Sequence, residues 1–206
     1  MTDIDTILGL APVIPVLVID RVEDARPIAE ALVAGGLPAL EVTLRTPVAL
    51  AAIREMKTVT GAVVGAGTVL HPDQLSAALD AGAEFIVSPG LTDRLGRAAA
   101  DAGVPFLPGT ATTGDIMRAL DLGFSRLKFF PAVAGGGLPV LKAMAAVFDQ
   151  VRFCPTGGIT LDSAAEWLAE PAIACVGGSW LVPRGQAIDP EAIRVRAARA
   201  AALRTR

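Results

Sequence analysis

Residues 78–90, ALDAGAEFIVSPG, contain the unit from which the chain is built. An alanine-rich helical stretch stops at Gly82, and the apolar run FIV follows before a second stop at Pro89 and Gly90. A glycine directly after a helix suits the left-handed conformation that caps helix C-termini. A run of β-branched and aromatic residues is typical of a strand. The segment therefore predicts a helix followed by a buried strand.

The same helix–glycine–strand unit returns along the chain, as ALVAGGLPALEVTL, AAADAGVPFLPGT and ALDLGFSRLKFFPA. The predicted strands lie near residues 13–19, 38–44, 62–68, 84–89, 104–108, 126–131, 151–156 and 173–178. The predicted helices lie near 23–34, 46–58, 72–81, 92–102, 113–121, 138–147, 161–169 and 190–203, with a short extra helix at 3–9. Strands that alternate with helices indicate parallel β-α-β units, and eight such units predict an α/β fold of the (β/α)₈ barrel type.

The chain length predicts a single domain over residues 1–206. About 250 residues are typical of this barrel, so a 206-residue chain leaves no room for a second domain. An open, doubly wound sheet is the alternative. That fold needs a glycine-rich loop after its first strand, and VIPVLVIDRVED at 13–24 contains no glycine. The stretch GAGT at 65–68 is too short a match for a dinucleotide loop.

Composition argues against several classes of partner. The net charge of −3 and the pI of about 5.2 disfavour nucleic acid and anionic membranes. The longest uncharged runs, 6–19 and 58–72, are shorter than the roughly 18–20 residues of a spanning helix. The acidic start MTDID lacks the basic region of a signal peptide, so a cytoplasmic location is expected. Cys154 and Cys175 show neither metal nor redox spacing, and neither a metal nor a cofactor is expected.

Alternation along the second predicted strand sorts its side chains onto two faces. Leu40 and Val42 share the face that suits contact with helices. Glu41, Thr43 and Arg45 share the other face and would point into the barrel. An acid and a base inside a barrel are costly unless they are paired or functional. The pattern leaves two interpretations, a buried Glu–Arg pair or a site.

The sixth predicted strand places a lysine on the inward face, together with Phe130, whereas Leu127 and Phe129 face outward. Lysine is rare here, since only three of the 18 cationic side chains are lysines. A lysine can lose its proton, whereas arginine in practice cannot. Burial and a nearby cation favour the neutral amine, which attacks carbonyls to form Schiff bases. Lys128 is therefore the candidate nucleophile.

Other polar groups at the strand ends complete a candidate site. Glu41 could move protons, and Arg45 matches a substrate carboxylate. Thr68 offers a hydroxyl at the rim, after two glycines that leave room. The seventh and eighth predicted strands end in CPTGGIT and CVGGSW, and glycine pairs there can present N–H groups to phosphate. They could also be simple tight turns. Together these groups suggest a phosphorylated 2-keto acid as substrate.

Six motifs resemble the bacterial 2-keto-3-deoxy-6-phosphogluconate aldolase family, which overlaps with 4-hydroxy-2-oxoglutarate aldolase. They are ALVAGGLPALEVTLRTP (31–47), VGAGTVLHPDQL (64–75), SPGLT (88–92), KFFPA (128–132), VRFCPTGGI (151–159) and GGSWLVP (177–183). The resemblance implies a metal-independent class I aldolase with a (β/α)₈ barrel that forms a homotrimer.

The resemblance also implies a role for each matching residue. Lys128 would form the Schiff base, and Glu41 would transfer protons, acting through a water. The substrate would be held by Arg45 and Thr68 at the pyruvyl carboxylate, Phe130 at the pyruvyl portion, Thr156 at the aldehyde portion, and Gly157, Gly158, Gly178 and Ser179 at the phosphate. PGTATTGDI at 108–116 departs from the family pattern, with Thr112 and Asp115 filling the places of a Thr and a Glu. That change puts only local loop contacts in doubt.

The implied reaction is cleavage of 2-dehydro-3-deoxy-6-phosphogluconate to pyruvate and D-glyceraldehyde 3-phosphate. Two related substrates stay open, non-phosphorylated 4-hydroxy-2-oxoglutarate and the phosphogalactonate epimer. A different class of function is a phosphate-binding barrel without covalent chemistry. That interpretation leaves the inward lysine unexplained.

Overall fold

The computed structural model describes residues 3–203, in which strands and helices alternate. The strands are β1 (Val13–Leu17), β2 (Ala39–Thr43), β3 (Val63–Gly67), β4 (Phe85–Val87), β5 (Phe106–Leu107), β6 (Gly109–Thr110), β7 (Arg126–Phe129), β8 (Arg152–Pro155) and β9 (Val176–Gly178). The helices are α1 (Ile4–Leu8), α2 (Val22–Ala34), α3 (Ala49–Met56), α4 (Pro72–Asp80), α5 (Asp93–Ala102), α6 (Thr113–Asp121), α7 (Gly137–Ala145), α8 (Leu161–Leu168) and α9 (Pro190–Ala201).

The strands close into a parallel (β/α)₈ barrel, as predicted, and the open-sheet alternative is wrong. One sheet has the order β5-β4-β3-β2-β1-β9 and the other the order β6-β7-β8. Isolated bridges from Phe153 to Ile173 and from Thr156 to Gly177 join β8 to the β9 side. The fifth strand, predicted as one run at 104–108, is split into β5 and β6. Pro108 lies at the break, because proline has no N–H to donate to a ladder.

The buried apolar side chains form two cores, one between the barrel wall and the helices and one inside the barrel. Outward side chains such as Leu40, Leu127 and Phe129 pack with the helices in one large core. Inward side chains, with Phe85 among them, form a smaller core that also contains apolar residues of α1. Asp5 of α1 forms an ion pair with Arg126 at the start of β7. The short N-terminal helix thus covers the end of the barrel where the strands begin.

Local chemistry sets several helix ends. Thr92 and Asp189 cap α5 and α9 by accepting a hydrogen bond from the N–H three residues later. Gly82, Gly103 and Gly123 follow helices with φ of +92°, +62° and +85°, the left-handed conformation expected of glycine stops. Helix α3 is shorter than the predicted 46–58. Across residues 3–203, no helix is both long and apolar enough to cross a membrane.

Candidate active site

The site centres on a lysine and a glutamate from opposite walls of the barrel. Around the closed barrel, β2 and β7 lie four strands apart in either direction when β5 and β6 are counted as one. Lys128 Nζ donates to Glu41 Oε1 at 3.1 Å and to Oε2 at 3.3 Å. Both residues are buried, with exposures of 5% and 3%. Alternation thus oriented both side chains correctly, and barrel closure brings them into contact.

The predicted alternative of a buried Glu–Arg pair is wrong. Strand β2 ends at Thr43, and Arg45 lies in the turn that follows, where it is exposed. The strict alternation that predicted an inward Arg45 stops with the strand. The cation that pairs with Glu41 is Lys128.

Two inward glycines of β3 make the space that this pair needs. A β-carbon at Gly65 would lie 2.5 Å from Cδ2 of the Phe85 ring, and closer still to Cε2. A β-carbon at Gly67 would lie 2.6 Å from Glu41 Cγ, and closer still to Oε1. Real β-carbons do not approach other atoms this closely. The carboxylate therefore occupies the volume that any other residue at position 67 would fill.

The wall beside the lysine is formed by an aromatic ring and two thiols. The Phe130 ring centroid lies 5.6 Å from Lys128 Nζ, within the range of a cation–π contact. Cys154 is the register partner of Lys128 on β8, and both cysteines are buried and unpaired by a disulfide. A hydrogen bond with Cys154, burial and the nearby Glu41 raise the pKa of the Cys175 thiol well above its ordinary value. Cys175 is thus held as a neutral thiol.

Arg45 and Thr68 follow neighbouring strands at the carboxyl end of the barrel. The Leu44 N–H donates to the Gly67 carbonyl at 2.8 Å, which places the next residue on each strand side by side. Thr68 has a φ of +60°, a left-handed conformation that is uncommon for a β-branched residue. Backbone strain of this kind is concentrated at functional sites. Both residues therefore follow adjacent strands at the carboxyl end of the barrel.

Thr156 and the glycines that follow it lie at the carboxyl end of β8, beside the segment that follows β7. Thr156 is buried, and a β-carbon at Gly177 would lie 2.8 Å from its Cγ2 and closer to its Oγ1. Gly157 and Gly158 have φ of +105° and +80°. A β-carbon at Gly157 would touch the Phe130 ring at 3.4 Å. This turn is therefore packed directly against the lysine-bearing strand.

Gly178 and Ser179 lie across the turn from these glycines, at the end of β9. Gly178 is buried, and its Cα faces the Trp180 ring, since a β-carbon there would lie 2.5 Å from that ring. Ser179 is exposed. Bridge pairing between Thr156 and Gly177 aligns the two glycine pairs at adjacent strand ends.

Some residues that shape the site escaped the sequence reasoning. Gly177 was not singled out, although its missing side chain accommodates Thr156. Thr110 was also missed; its hydroxyl is buried and donates to the Lys128 carbonyl at 3.3 Å. The one feature of the sequence that pointed to the role of Gly177 is its position directly before Gly178, which was predicted to bind phosphate. Neither contact could be read without knowing which strands are neighbours.

The departure at 108–116 has a local explanation. Thr112 and Asp115 form a capping box at the start of α6, in which each side chain bonds to the other residue's N–H. These two residues therefore shape the loop and helix start.

Within residues 3–203, metal-binding side chains do not gather in groups of three or more, and the expected absence of a metal stays a prediction.

The architecture is that of a (β/α)₈ barrel with a buried lysine–carboxylate pair in its interior. A buried amine lies within hydrogen-bonding distance of a carboxylate that can exchange protons with it. Arg45 and the glycine turn at 157–158 both follow strands at the carboxyl end of the barrel. An amine held beside a carboxylate that can exchange protons with it is the arrangement that Schiff-base chemistry uses.

Comparison with known proteins identifies the family. A family profile for KDPG and KHG aldolase matches residues 4–197. A relative from Zymomonas mobilis, 2-dehydro-3-deoxy-phosphogluconate aldolase, is 63% identical over 186 residues, which cover 90% of this chain and 89% of the relative. The chain belongs to the KDPG and KHG aldolase family.

Solved structures agree with this assignment. The crystal structure of 2-keto-3-deoxy-6-phosphogluconate aldolase of Zymomonas mobilis ZM4 with 3-phosphoglycerate matches with a TM-score of 0.96 and 60% identity, covering 98% of this chain and 96% of that one. The KDPG aldolase of Legionella pneumophila, with pyruvate captured as a covalent carbinolamine intermediate, matches with a TM-score of 0.94 and 45% identity, covering 97% and 98%. Relatives of the same fold thus include one that holds pyruvate covalently.

Proposed function

We propose that this chain is a class I aldolase that cleaves 2-dehydro-3-deoxy-6-phosphogluconate to pyruvate and D-glyceraldehyde 3-phosphate. The observation that carries this proposal is the buried contact between Lys128 Nζ and the Glu41 carboxylate. Removing two charges from water is costly. A catalytic role accounts for this desolvation cost, because Glu41 can take the proton of Lys128 and leave a neutral amine that attacks the substrate.

The first stage is Schiff-base formation on Lys128. Glu41 accepts a proton from the ammonium, and the neutral amine adds to the C2 ketone to give a carbinolamine. Protonated Glu41 gives its proton to the carbinolamine hydroxyl, which leaves as water, so that an iminium ion and the Glu41 carboxylate remain. Both carboxylate oxygens lie within 3.3 Å of Nζ, so the proton travels along an existing hydrogen bond. The covalent pyruvate carbinolamine of the Legionella relative supports the same first step here.

The second stage is cleavage of the C3–C4 bond. Glu41, directly or through a water, removes the C4 hydroxyl proton, and a carbonyl forms at C4. The electron pair of the broken bond moves into the iminium and gives an enamine. The enamine is protonated at C3, and water hydrolyses the resulting iminium. Pyruvate leaves, and Lys128 is free again.

The remaining residues hold the substrate in this proposal. Arg45 and Thr68 bind the pyruvyl carboxylate from neighbouring strand ends, and Phe130 packs on the pyruvyl carbons. Thr156 contacts the aldehyde portion. Its hydroxyl is available at the strand end because Gly177 leaves it room. Gly157, Gly158, Gly178 and Ser179 bind the phosphate, and the 3-phosphoglycerate of the Zymomonas structure supports a phosphorylated ligand.

Borohydride trapping tests the covalent step. Reduction in the presence of pyruvate should leave a stable adduct, and peptide mass spectrometry should place it on Lys128. The matched control is Lys142, an exposed lysine of α7. Lys142→Arg should still form the adduct and Lys128→Arg should not. An adduct elsewhere, or none, would sink the proposal and leave a non-covalent phosphate-binding barrel.

Substrate comparison tests the second half of the proposal. The family name covers both KDPG and KHG aldolases, so 4-hydroxy-2-oxoglutarate is the second candidate. Cleavage rates for it, for the phosphogluconate acid and for its phosphogalactonate epimer should be measured side by side. We expect a higher kcat/KM for the two phosphorylated acids than for 4-hydroxy-2-oxoglutarate, because the glycine turns favour a phosphate. We expect the highest value for the phosphogluconate acid, the substrate named for the relatives of 63% and 50% identity.

Assembly and location are part of the same proposal. The family resemblance supports a homotrimer, which sedimentation equilibrium would detect as three times the chain mass of 21.1 kDa. A cytoplasmic location stays an expectation, and cell fractionation would test it. A monomer, or a membrane-bound fraction, would contradict these two expectations.

A further inference from the structure

The short segment that follows the lysine strand is hydrogen bonded to the glycine turn of the proposed phosphate subsite. The Ala132 N–H donates to the Thr156 carbonyl at 2.8 Å, and the Val133 N–H donates to the Gly157 carbonyl at 3.0 Å. Two consecutive peptide groups of the turn are therefore fixed from one side. The contact joins the segment after β7 to the segment after β8.

The directions of these two carbonyl groups also fix the directions of the Gly157 and Gly158 N–H groups. In a planar trans peptide, the carbonyl and the following N–H point in opposite directions. The Thr156–Gly157 and Gly157–Gly158 peptides are trans, and both carbonyls point at residues 132 and 133. The N–H groups of Gly157 and Gly158 therefore point away from that segment. The bridge between Thr156 and Gly177 shows that β9 lies on the other side, where Ser179 follows.

A side-chain contact fixes the same arrangement. A β-carbon at Gly158 would lie 2.7 Å from the β-carbon of Val133, so the valine packs directly on the backbone at position 158. Val133 is 50% exposed, so it packs on the turn at the surface of the protein. Its backbone and its side chain thus constrain successive residues of the turn.

We infer that Val133 is a positioning residue for the phosphate subsite, which directs the Gly157 and Gly158 N–H groups toward the ligand. This inference rests on the proposed function, because it presumes a phosphorylated substrate. Val133 would not touch the reacting atoms. It acts through the turn, so its loss should weaken recognition of the phosphate and spare the chemistry at Lys128.

The test compares one substrate with and without its phosphate. The readout is the ratio of kcat/KM for the phosphorylated 2-keto-3-deoxy acid to that for the same acid lacking phosphate. Val133→Gly removes the contact with Gly158 and loosens the backbone that carries the N–H. We expect the ratio to fall about tenfold, the order of one weakened hydrogen bond to a charged group. Val133→Ala should show a smaller drop in the same ratio.

Controls separate this effect from general damage. Val147→Gly changes an exposed valine beyond the end of α7, at the opposite face of the barrel, and should leave the ratio unchanged. Borohydride trapping of pyruvate should proceed equally in all variants. Inorganic phosphate should compete with substrate less well in Val133→Gly than in the unmodified protein.

The outcomes are distinguishable. An unchanged ratio in both Val133 variants, or an equal loss in Val147→Gly, would overturn the inference. An unmodified protein that shows no preference for the phosphorylated acid would overturn the phosphorylated substrate of the proposed function, and the inference with it. Failure of the unmodified protein to trap pyruvate on Lys128 would instead overturn the proposed function itself.

Discussion

The carboxylate of Glu41 occupies the space that a side chain at position 67 would need. A β-carbon there would lie 2.6 Å from Glu41 Cγ, on the neighbouring strand in the barrel wall. The catalytic role proposed for Glu41 thus depends on a residue with no functional group. The contact between Glu41 and Lys128 Nζ at 3.1 Å is kept only while position 67 is glycine.

Gly67→Ala should lower kcat by displacing Glu41 from the lysine. Misplacing a catalytic group by about 1 Å can cost on the order of 100-fold in rate, and we expect a loss of that order. The measurement is steady-state cleavage, with circular dichroism to show that the variant is folded. Gly114→Ala is the control, because its β-carbon would meet only the Thr112 hydroxyl, at 3.7 Å. Equal activity in both variants would contradict the steric argument.

Arg45→Gln should weaken binding of pyruvate without abolishing the covalent step. Charge-assisted hydrogen bonds to a carboxylate are worth about 1.5–3 kcal/mol, which corresponds to a loss of roughly tenfold to 100-fold in affinity. The concentration of pyruvate that gives half-maximal borohydride trapping should rise accordingly. Arg54→Gln, on the exposed face of α3, is the matched control. If both variants trap pyruvate at the same concentration, Arg45 does not hold the carboxylate.

The buried thiols should resist alkylation in the folded protein. The hydrogen bond with Cys154 and burial raise the pKa of Cys175 well above its ordinary 9.0, and the thiolate is the reactive form. Iodoacetamide at pH 8 should therefore label neither cysteine until guanidinium unfolds the chain. Intact-mass spectrometry then counts two labels, one for each cysteine in the sequence. Rapid labelling of Cys175 in the folded protein would disprove the assigned environment.

Asp115→Asn should destabilise the protein in a pH-dependent way. Partial burial raises the pKa of Asp115, but hydrogen bonds from the Ala111 N–H and from the Thr112 hydroxyl and N–H lower it more. Its pKa therefore lies below the ordinary 3.8. A carboxyl group whose pKa is lower in the folded chain than in the unfolded chain stabilises the fold at any pH above its unfolded-state pKa. This stabilisation is lost as the pH falls through its folded-state pKa.

The expected loss in the Asp115→Asn variant is about 1 kcal/mol in the free energy of unfolding at pH 7. The difference from the unmodified protein should persist down to about pH 5 and disappear below the folded pKa, as both forms become neutral. Urea unfolding at pH 7, 5 and 3 measures it. Asp149→Asn, at an exposed position before β8, serves as the control. A difference that does not change with pH would assign the loss to shape rather than charge.

Much of the fold was predictable because its signals are local. Glycine stops, apolar runs and alternation predicted every strand of the barrel to within a few residues, including the inward orientation of Lys128 and Glu41. The split at Pro108 was missed, since a single apolar run does not show where its ladder partners change. Arg45 was predicted to be inward because alternation was extended past the end of β2 at Thr43.

The alternation of residues along each strand could not predict contacts between residues on different strands. The space at Gly67 is informative only when Glu41 is known to be its neighbour, and the same holds for Gly177 and Thr156. The hydrogen bond from Val133 to Gly157 joins the segment after β7 to the segment after β8. Each depends on strand order and register rather than on composition.

The amino-acid sequence alone determined the period of the elements and the face on which each side chain lies, because backbone geometry imposes alternation residue by residue. Only the tertiary structure decided which inward side chains meet. Lys128 and Glu41 are 87 residues apart and come from opposite walls, so their hydrogen bond exists only when the sheet closes on itself. Closure of the barrel also buries both side chains, and a buried charge is costly unless it is paired, so the amine and the carboxylate pair with each other.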